Sequence, residues 1–262
     1  MAEIKFTHKV SKGTRFNQIY IPLGMKGKFD VGDVVEVILL EKKSGLAYSP
    51  EFKKQIKKLN PFKEELIKNI FSLLGKFKGI ERIFIVGSFL TQGNEYNDID
   101  IILVADKDIE SEVNNLLIDK FELKFHVISI SQKNFEKLIK SCPLTRGMLY
   151  FFVSNKEFIL LKKREIDKKH IKFLLMMPED LLSVKLKPRV FYDSLRRLIT
   201  IERFLEERSL NPLGIEEEIK KLIGDKSAIN IKTNEEMGEI LLKKIRKVIK
   251  SKLEKINKEL KN

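Results

Sequence analysis

Tryptophan is absent from the 262 residues, cysteine occurs once (Cys142), and histidine occurs only as His8, His126 and His170. A single cysteine excludes an internal disulfide and any cysteine-based zinc cluster. The three histidines are too scattered to make a zinc site by spacing. No apolar run approaches about 18 residues, so no membrane-spanning helix and no membrane partner are expected. The N-terminal MAEIKFTHKV lacks an apolar signal core, which makes the expected location cytoplasmic. No Gly-x4-Gly-Lys-Ser/Thr phosphate loop occurs. Acidic residues are in deficit: 37 Asp and Glu face 51 Lys and Arg, a net charge of +14. Such a balance favours polyanionic partners, nucleic acid or nucleoside triphosphates. A lysine-rich composition with little cysteine is equally a habit of heat-adapted chains.

What is present centres on residues 82–104, RIFIVGSFLTQGNEYNDIDIILV. Two apolar runs, 83–86 and 99–104, read as strands. Gly87-Ser88 follows the first and reads as the opening of a helix, where backbone N–H groups and a positive dipole end seat a phosphate. The second run alternates Asp98, Ile99, Asp100, Ile101. On a strand the two carboxylates share a face. Like charges held that close repel unless a cation sits between them. Mg²⁺ takes such oxygen ligands together with substrate phosphates. The same acids also read as the solvated end of an edge strand, and Asn97-Asp98 as a turn.

Apolar-Gly-Ser, nine residues, then Asp-apolar-Asp-apolar resembles the signature of the DNA polymerase beta-like nucleotidyltransferase superfamily, in its minimal form. Val86-Gly87-Ser88 and Asp98-Ile99-Asp100-Ile101 carry the match, and Gly93 matches a spacer glycine. The resemblance implies that Gly87 and Ser88 hold a nucleoside triphosphate. It also implies that Asp98 and Asp100 are the catalytic, metal-binding pair for two Mg²⁺ ions in nucleotidyl transfer. Two departures stand out. Where active members carry a third carboxylate, the strand expected over 123–130 holds His126, whose nitrogen suits Mn²⁺ or Zn²⁺ better than Mg²⁺. His126 reads equally as a strand histidine satisfied by a neighbour. Asp106, Asp119 and Glu122 are the nearest substitutes in sequence, and Gln92 stands where arginine is frequent.

Residues 1–45 read as a separate small β domain, with strands over 4–10, 18–22 and 34–40 and a short helix or turn over 23–28. Ile19, Ile21, Pro22, Val31, Gly32, Asp33, Val35, Glu36 and Val37 make it resemble the AbrB-type swapped hairpin. That resemblance implies a homodimer through this unit, with Lys9, Lys12 and Arg15 as DNA-contacting cations; the alternative is a unit that only dimerises or covers the enzyme. Residues 46–60 read as a linker punctuated by Ser49 and Pro50. Residues 61–162 read as the nucleotidyltransferase domain, opening with a helix over 61–77. Helices over 108–117 and 132–139 follow, with a last strand over 151–153 or 158–161. Arg146 and Lys140 are cations for phosphates or for the surface.

Residues 163–262 read as helical, with stripes at Phe191, Leu195, Leu198, Ile199 and Leu205 and again at Leu241, Ile245, Val248, Ile249, Leu253, Ile256 and Leu260. The opposite face of the last helix carries Lys243, Lys244, Arg246, Lys247, Lys250, Lys252, Lys255 and Lys258, either a solvated face or one turned to RNA or DNA. The tail lacks the Arg-x4–6-His motif of HEPN ribonucleases. The expected fold class is α+β. The expected activity is Mg²⁺-dependent (Mn²⁺ as the alternative ion) transfer from a nucleoside triphosphate to a hydroxyl. The competing expectation is a non-catalytic DNA-binding or nucleotide-sensing regulator on a degenerate core.

Overall fold

The computed structural model describes residues 6–25, 27–37, 45–56, 58–91, 96–160 and 163–261. The chain divides into two units, Met1–Lys42 and Lys43–Asn262. In the first, β1 (Ser11–Lys12) pairs antiparallel with β2 (Asn17–Gln18), and a 3-10 turn follows at Leu23–Met25. The strand expected over 18–22 is thus paired only at Gln18, and 34–37 form no strand; residues 38–40 lie outside those described. Phe16, Leu23, Val31 and Val34 are largely exposed. An extended segment gains its ladder bonds only from a neighbour, and a unit this small buries little of its own apolar surface.

The second unit runs β3 (Ala47–Tyr48), α1 (Pro50–Gln55), α2 (Pro61–Leu74), β4 (Ile80–Val86), β5 (Ile99–Ala105), α3 (Glu110–Phe121), β6 (Phe125–Ile130), α4 (Gln132–Ser141), α5 (Pro143–Met148) and β7 (Val153–Ser154). Five strands make one sheet in the order β3-β7-β4-β5-β6, antiparallel throughout except for the β5–β6 pair. The architecture is α+β.

The expected linker over 46–60 contains regular structure, β3 and α1. β3 is an edge strand, and Ser49 caps α1 by accepting from the Phe52 N–H at 3.1 Å. Its hydroxyl also donates to the Tyr150 carbonyl, and Phe52 is buried in the core. The Ser-Pro pair that reads as loop punctuation is an N-cap followed by proline at the first helical position.

Alternation along the strands sorts the core into two layers. Ile83, Ile85, Ile101 and Leu103 meet Leu66, Ile67, Ile70 and Leu74 of α2 on one face, with Val113 and Leu117 of α3. Phe84, Val86, Ile102 and Val104 meet Phe135 and Ile139 of α4 and Phe152 on the other. Each fully buried side chain of this kind contributes about 1.5–3 kcal/mol. α2 stops at Leu74, before the expected Phe77, with Gly75 as its C-cap.

The helical part comprises α6 (Lys168–Asp180), α7 (Pro188–Leu205), α8 (Pro212–Ile223), α9 (Asp225–Lys232) and α10 (Glu239–Glu259). α7 is its centre, burying Phe191, Leu195, Leu198 and Ile201 against Ile219, Ile245 and Ile249. Cys142 belongs to this core too, with Leu138 and Leu144 packed on it, so α4 and α5 join the sheet to the bundle. Both parts belong to the one unit Lys43–Asn262. Among the described residues no helix is long and apolar enough to cross a membrane.

The basic face expected on α10 is partly consumed inside the bundle. Lys252 and Lys255 both bind Glu202 of α7, which is buried, and Lys252 also reaches Glu218 at 3.1 Å. Arg246 donates to the Leu181 and Val184 carbonyls at 3.1 Å each. Lys243, Lys244, Lys247, Lys250 and Lys258 remain exposed. Burial opposes charge on Glu202, but the hydrogen bonds from Lys252 and Lys255 outweigh it and hold the carboxyl below its ordinary 4.5. Stability from this cluster is therefore complete above that pH and lost as pH falls through the depressed value. Glu202→Gln is expected to cost about 1–3 kcal/mol at neutral pH, and less once the wild-type carboxylate protonates; urea melts at neutral pH and in acid check both.

Candidate functional site

β4 ends at Val86 and is followed by Gly87, whose φ of 81° lies in the left-handed region. A Cβ there would stand 2.2 Å from Asp100 Oδ2. Only glycine meets both demands, the dihedral and the close approach. The β4–β5 register sets this up by placing Asp100 directly across from Val86. Beyond Gly87 the chain makes one 3-10 turn, Ser88–Leu90, closed by the Thr91 N–H on the Ser88 carbonyl at 3.0 Å. The Thr91 hydroxyl donates to the same carbonyl at 2.7 Å. Among the described residues the helix expected after Gly87-Ser88 is only this 3-10 turn, which ends at an extended Thr91. Three residues sum to little macrodipole, so an anion seat here would rest on the amides of the turn alone.

Asp98 precedes β5, and Asp100 is its second residue. Asp100 shares a face with Ile102 and Val104. In the parallel β5–β6 register it stands beside His126, and His126 Nδ1 lies 3.0 Å from Asp100 Oδ1. Burial raises the Asp100 carboxyl above its ordinary value; the His126 hydrogen bond counters this, the Asp98 charge adds to it, and Arg196 of α7 favours the ionised form. The two aspartates are thus close enough to feel each other. Arg196 is an exposed cation of the helical part, 3.8 Å from Asp193. Its position on a polar helix face carries no sign in the sequence that it faces Asp100.

His126 occupies the place where a third acid was expected. Asp106 follows the far end of β5, six residues and about 20 Å along an extended strand. Asp119 is exposed on α3, and Glu122 ends that helix with φ 54°. Among the described residues no group of three or more His, Cys, Asp or Glu side chains could hold a metal ion. The Asp98–Asp100 pair fits a hard divalent ion only in the sharing mode, with phosphate oxygens and water completing the shell. Burial is the chief cause of the raised Asp100 carboxyl, and the Asp98 charge, a lesser one, is what such an ion would relieve. Gln92 and Gly93 lie outside the described residues.

The remaining candidates are dispersed. Lys9, Lys12 and Arg15 are exposed on and around the β1–β2 hairpin of the first unit. Arg146 is buried and donates to the Ile139 and Lys163 carbonyls at 2.7 and 3.2 Å, so it braces the fold and is no phosphate ligand. A cavity of about 610 Å³ lies at the C-terminal ends of β5 and β6, lined in part by Asp106, Lys107, Asp108, Lys137, Asp167 and His170. Neither Asp98 nor Asp100 lines it, and its mixed charges select no ligand. Lys63 is the residue near the site that sequence reasoning missed; a lysine in the first turn of α2 reads as solvated. Scanning the chain against protein-family models and searching the curated proteins returns no match.

Gly87→Ala is expected to lower stability by about 1–3 kcal/mol through backbone strain, measurable by urea melts. Because the folded-state carboxyl of Asp100 is raised, it favours folding only in its protonated form. That contribution is lost as pH rises through the raised value. Asp100→Asn should therefore raise the melting temperature at neutral pH and leave it unchanged in acid.

Proposed function

We propose that this chain is a Mg²⁺-dependent nucleotidyltransferase, with Mn²⁺ as the alternative ion. It would transfer a nucleotidyl group from a nucleoside triphosphate to a hydroxyl acceptor. The observation that carries this reading is the packing of Asp100 Oδ2 against Gly87. It joins the Gly-Ser turn to the acid pair, the two halves of the sequence motif. In this reading the lack of a side chain at Gly87 lets the Asp100 carboxylate sit against the turn, and the amides at the start of the 88–90 turn receive the phosphate. Asp98 and Asp100 hold the ion, which supplies charge neutralisation to the phosphates when bound. His126 fixes the plane of the Asp100 carboxylate. The acceptor hydroxyl would lose its proton to solvent and bond through oxygen to the α-phosphorus, as the bond from that phosphorus to the bridging oxygen breaks and pyrophosphate leaves.

His126 in the third-acid position favours a second reading. There the core binds nucleotide without transferring it, and Lys9, Lys12 and Arg15 of a dimerised first unit contact DNA. Incubation with α-labelled nucleotides, Mg²⁺ or Mn²⁺, and RNA, DNA or the protein itself as acceptor separates the two. The combined Asp98→Asn and Asp100→Asn changes are expected to reduce transfer at least 100-fold; transfer that persists removes this site. A wild-type chain that binds nucleotide without transfer, and binds DNA with a steep salt dependence, favours the second reading.

A further inference from the structure

We infer that Lys63 is a positioning residue for the candidate site, its ammonium tying the turn after Gly87 to the segment that leads into Asp98. The purpose of this hold rests on the nucleotide reading above; the hold itself does not.

Lys63 sits in the first turn of α2 yet is only 3% exposed. Its Nζ donates to the Phe89 carbonyl at 2.8 Å and to the Thr91 carbonyl at 3.2 Å. The same nitrogen lies 5.2 Å from the Phe89 ring centroid and 5.1 Å from that of Tyr96. The two rings meet edge to face at 5.0 Å. Phe89 belongs to the turn and Tyr96 stands two residues before Asp98, so one cation touches both described ends of the connection.

A buried ammonium is costly unless hydrogen-bonded, and burial does push Lys63 below its ordinary value. A methionine would fill the space but leave the Phe89 and Thr91 carbonyls without this donor. Carbonyls of a 3-10 turn point along the chain and its N–H groups point back. The last carbonyls of a short turn have no partner within it. By gathering them, Lys63 fixes the amides at the opposite, Gly87 end. Its attraction to the Tyr96 ring holds the approach to Asp98 in the same grip. The amides that would meet phosphate and the acid that would meet the metal are thereby set before either ligand arrives.

The test uses the full chain and two variants, Lys63→Met and Tyr96→Leu. Amide hydrogen exchange is measured without ligand, and ATP, GTP, CTP and UTP are titrated separately with Mg²⁺. Lys63→Met is expected to speed exchange at 88–91 and 96–98 at least tenfold while β5 and α7 exchange as in wild type. It should also weaken the best-bound nucleotide at least tenfold. Tyr96→Leu, at the half-exposed end of the hold, should do both about threefold. Exchange and affinity within twofold of wild type in a folded Lys63→Met protein overturn the inference, as does a uniform acceleration that includes β5 and α7. If Lys63→Met does not fold, Tyr96→Leu decides, and unchanged exchange at 88–91 overturns it. If wild type binds none of the four nucleotides, the nucleotidyl-transfer reading falls and the exchange pattern alone judges the hold.

Discussion

The antiparallel register of β4 on β5 is the constraint from which the rest of the site follows. It sets Val86 against Asp100, brings the carboxylate onto Gly87, and aligns Asp100 with His126 on β6. Strand side chains alternate faces, so a slip of one residue would exchange the layers. Asp100 would then enter the apolar layer of Ile67, Ile70 and Ile101, while Ile101 took its place at the surface. Burying an unpaired carboxylate there is prohibitive. The apolar alternation that builds both layers therefore also locates the acid.

Charge in this molecule divides into groups consumed by the fold and groups left at the surface. Lys63, Arg146 and Arg246 satisfy backbone carbonyls, and Lys252 and Lys255 neutralise Glu202 between α7 and α10. Arg164 likewise braces the carbonyls of Phe204 and Arg208. The formal +14 is thus a poor map of where a polyanion would bind. Arg196, exposed and acting on Asp100, is a different kind of cation, as are the free lysines of α10.

Much of the fold could be read from local pattern. The runs behind β4, β5 and β6 and the stripes of α2, α7 and α10 are long and periodic, and each appears within a few residues of its expected bounds. α6 lies in the region read as helical but was not singled out, because Pro178 lies inside it and proline reads as a helix breaker. Its Asp167 cap and the spacing of Ile171, Leu174, Leu175 and Pro178 were the available signal. β3 is two residues long and pairs only across the chain, so nothing near it announces it, whereas β7 begins at Val153, the last residue of the strand expected over 151–153. At the site, Gly87, Asp98 and Asp100 were visible as a motif. Lys63 was not, because a cation's burial depends on carbonyls and rings that only the folded chain brings to it.

The β3–β7 pairing also bears on how the sheet is completed. β4 and β5 are neighbours in sequence and can zip together soon after both exist. Ala47 finds Ser154 only 107 residues later. Closing so long a loop carries an entropic toll that local pairing avoids. During synthesis the β3 segment leaves the ribosome roughly 5–20 s ahead of its partner at ordinary elongation rates. The β4–β5 pair that carries Val86 and Asp100 is therefore expected to form before the Ala47 margin is sealed.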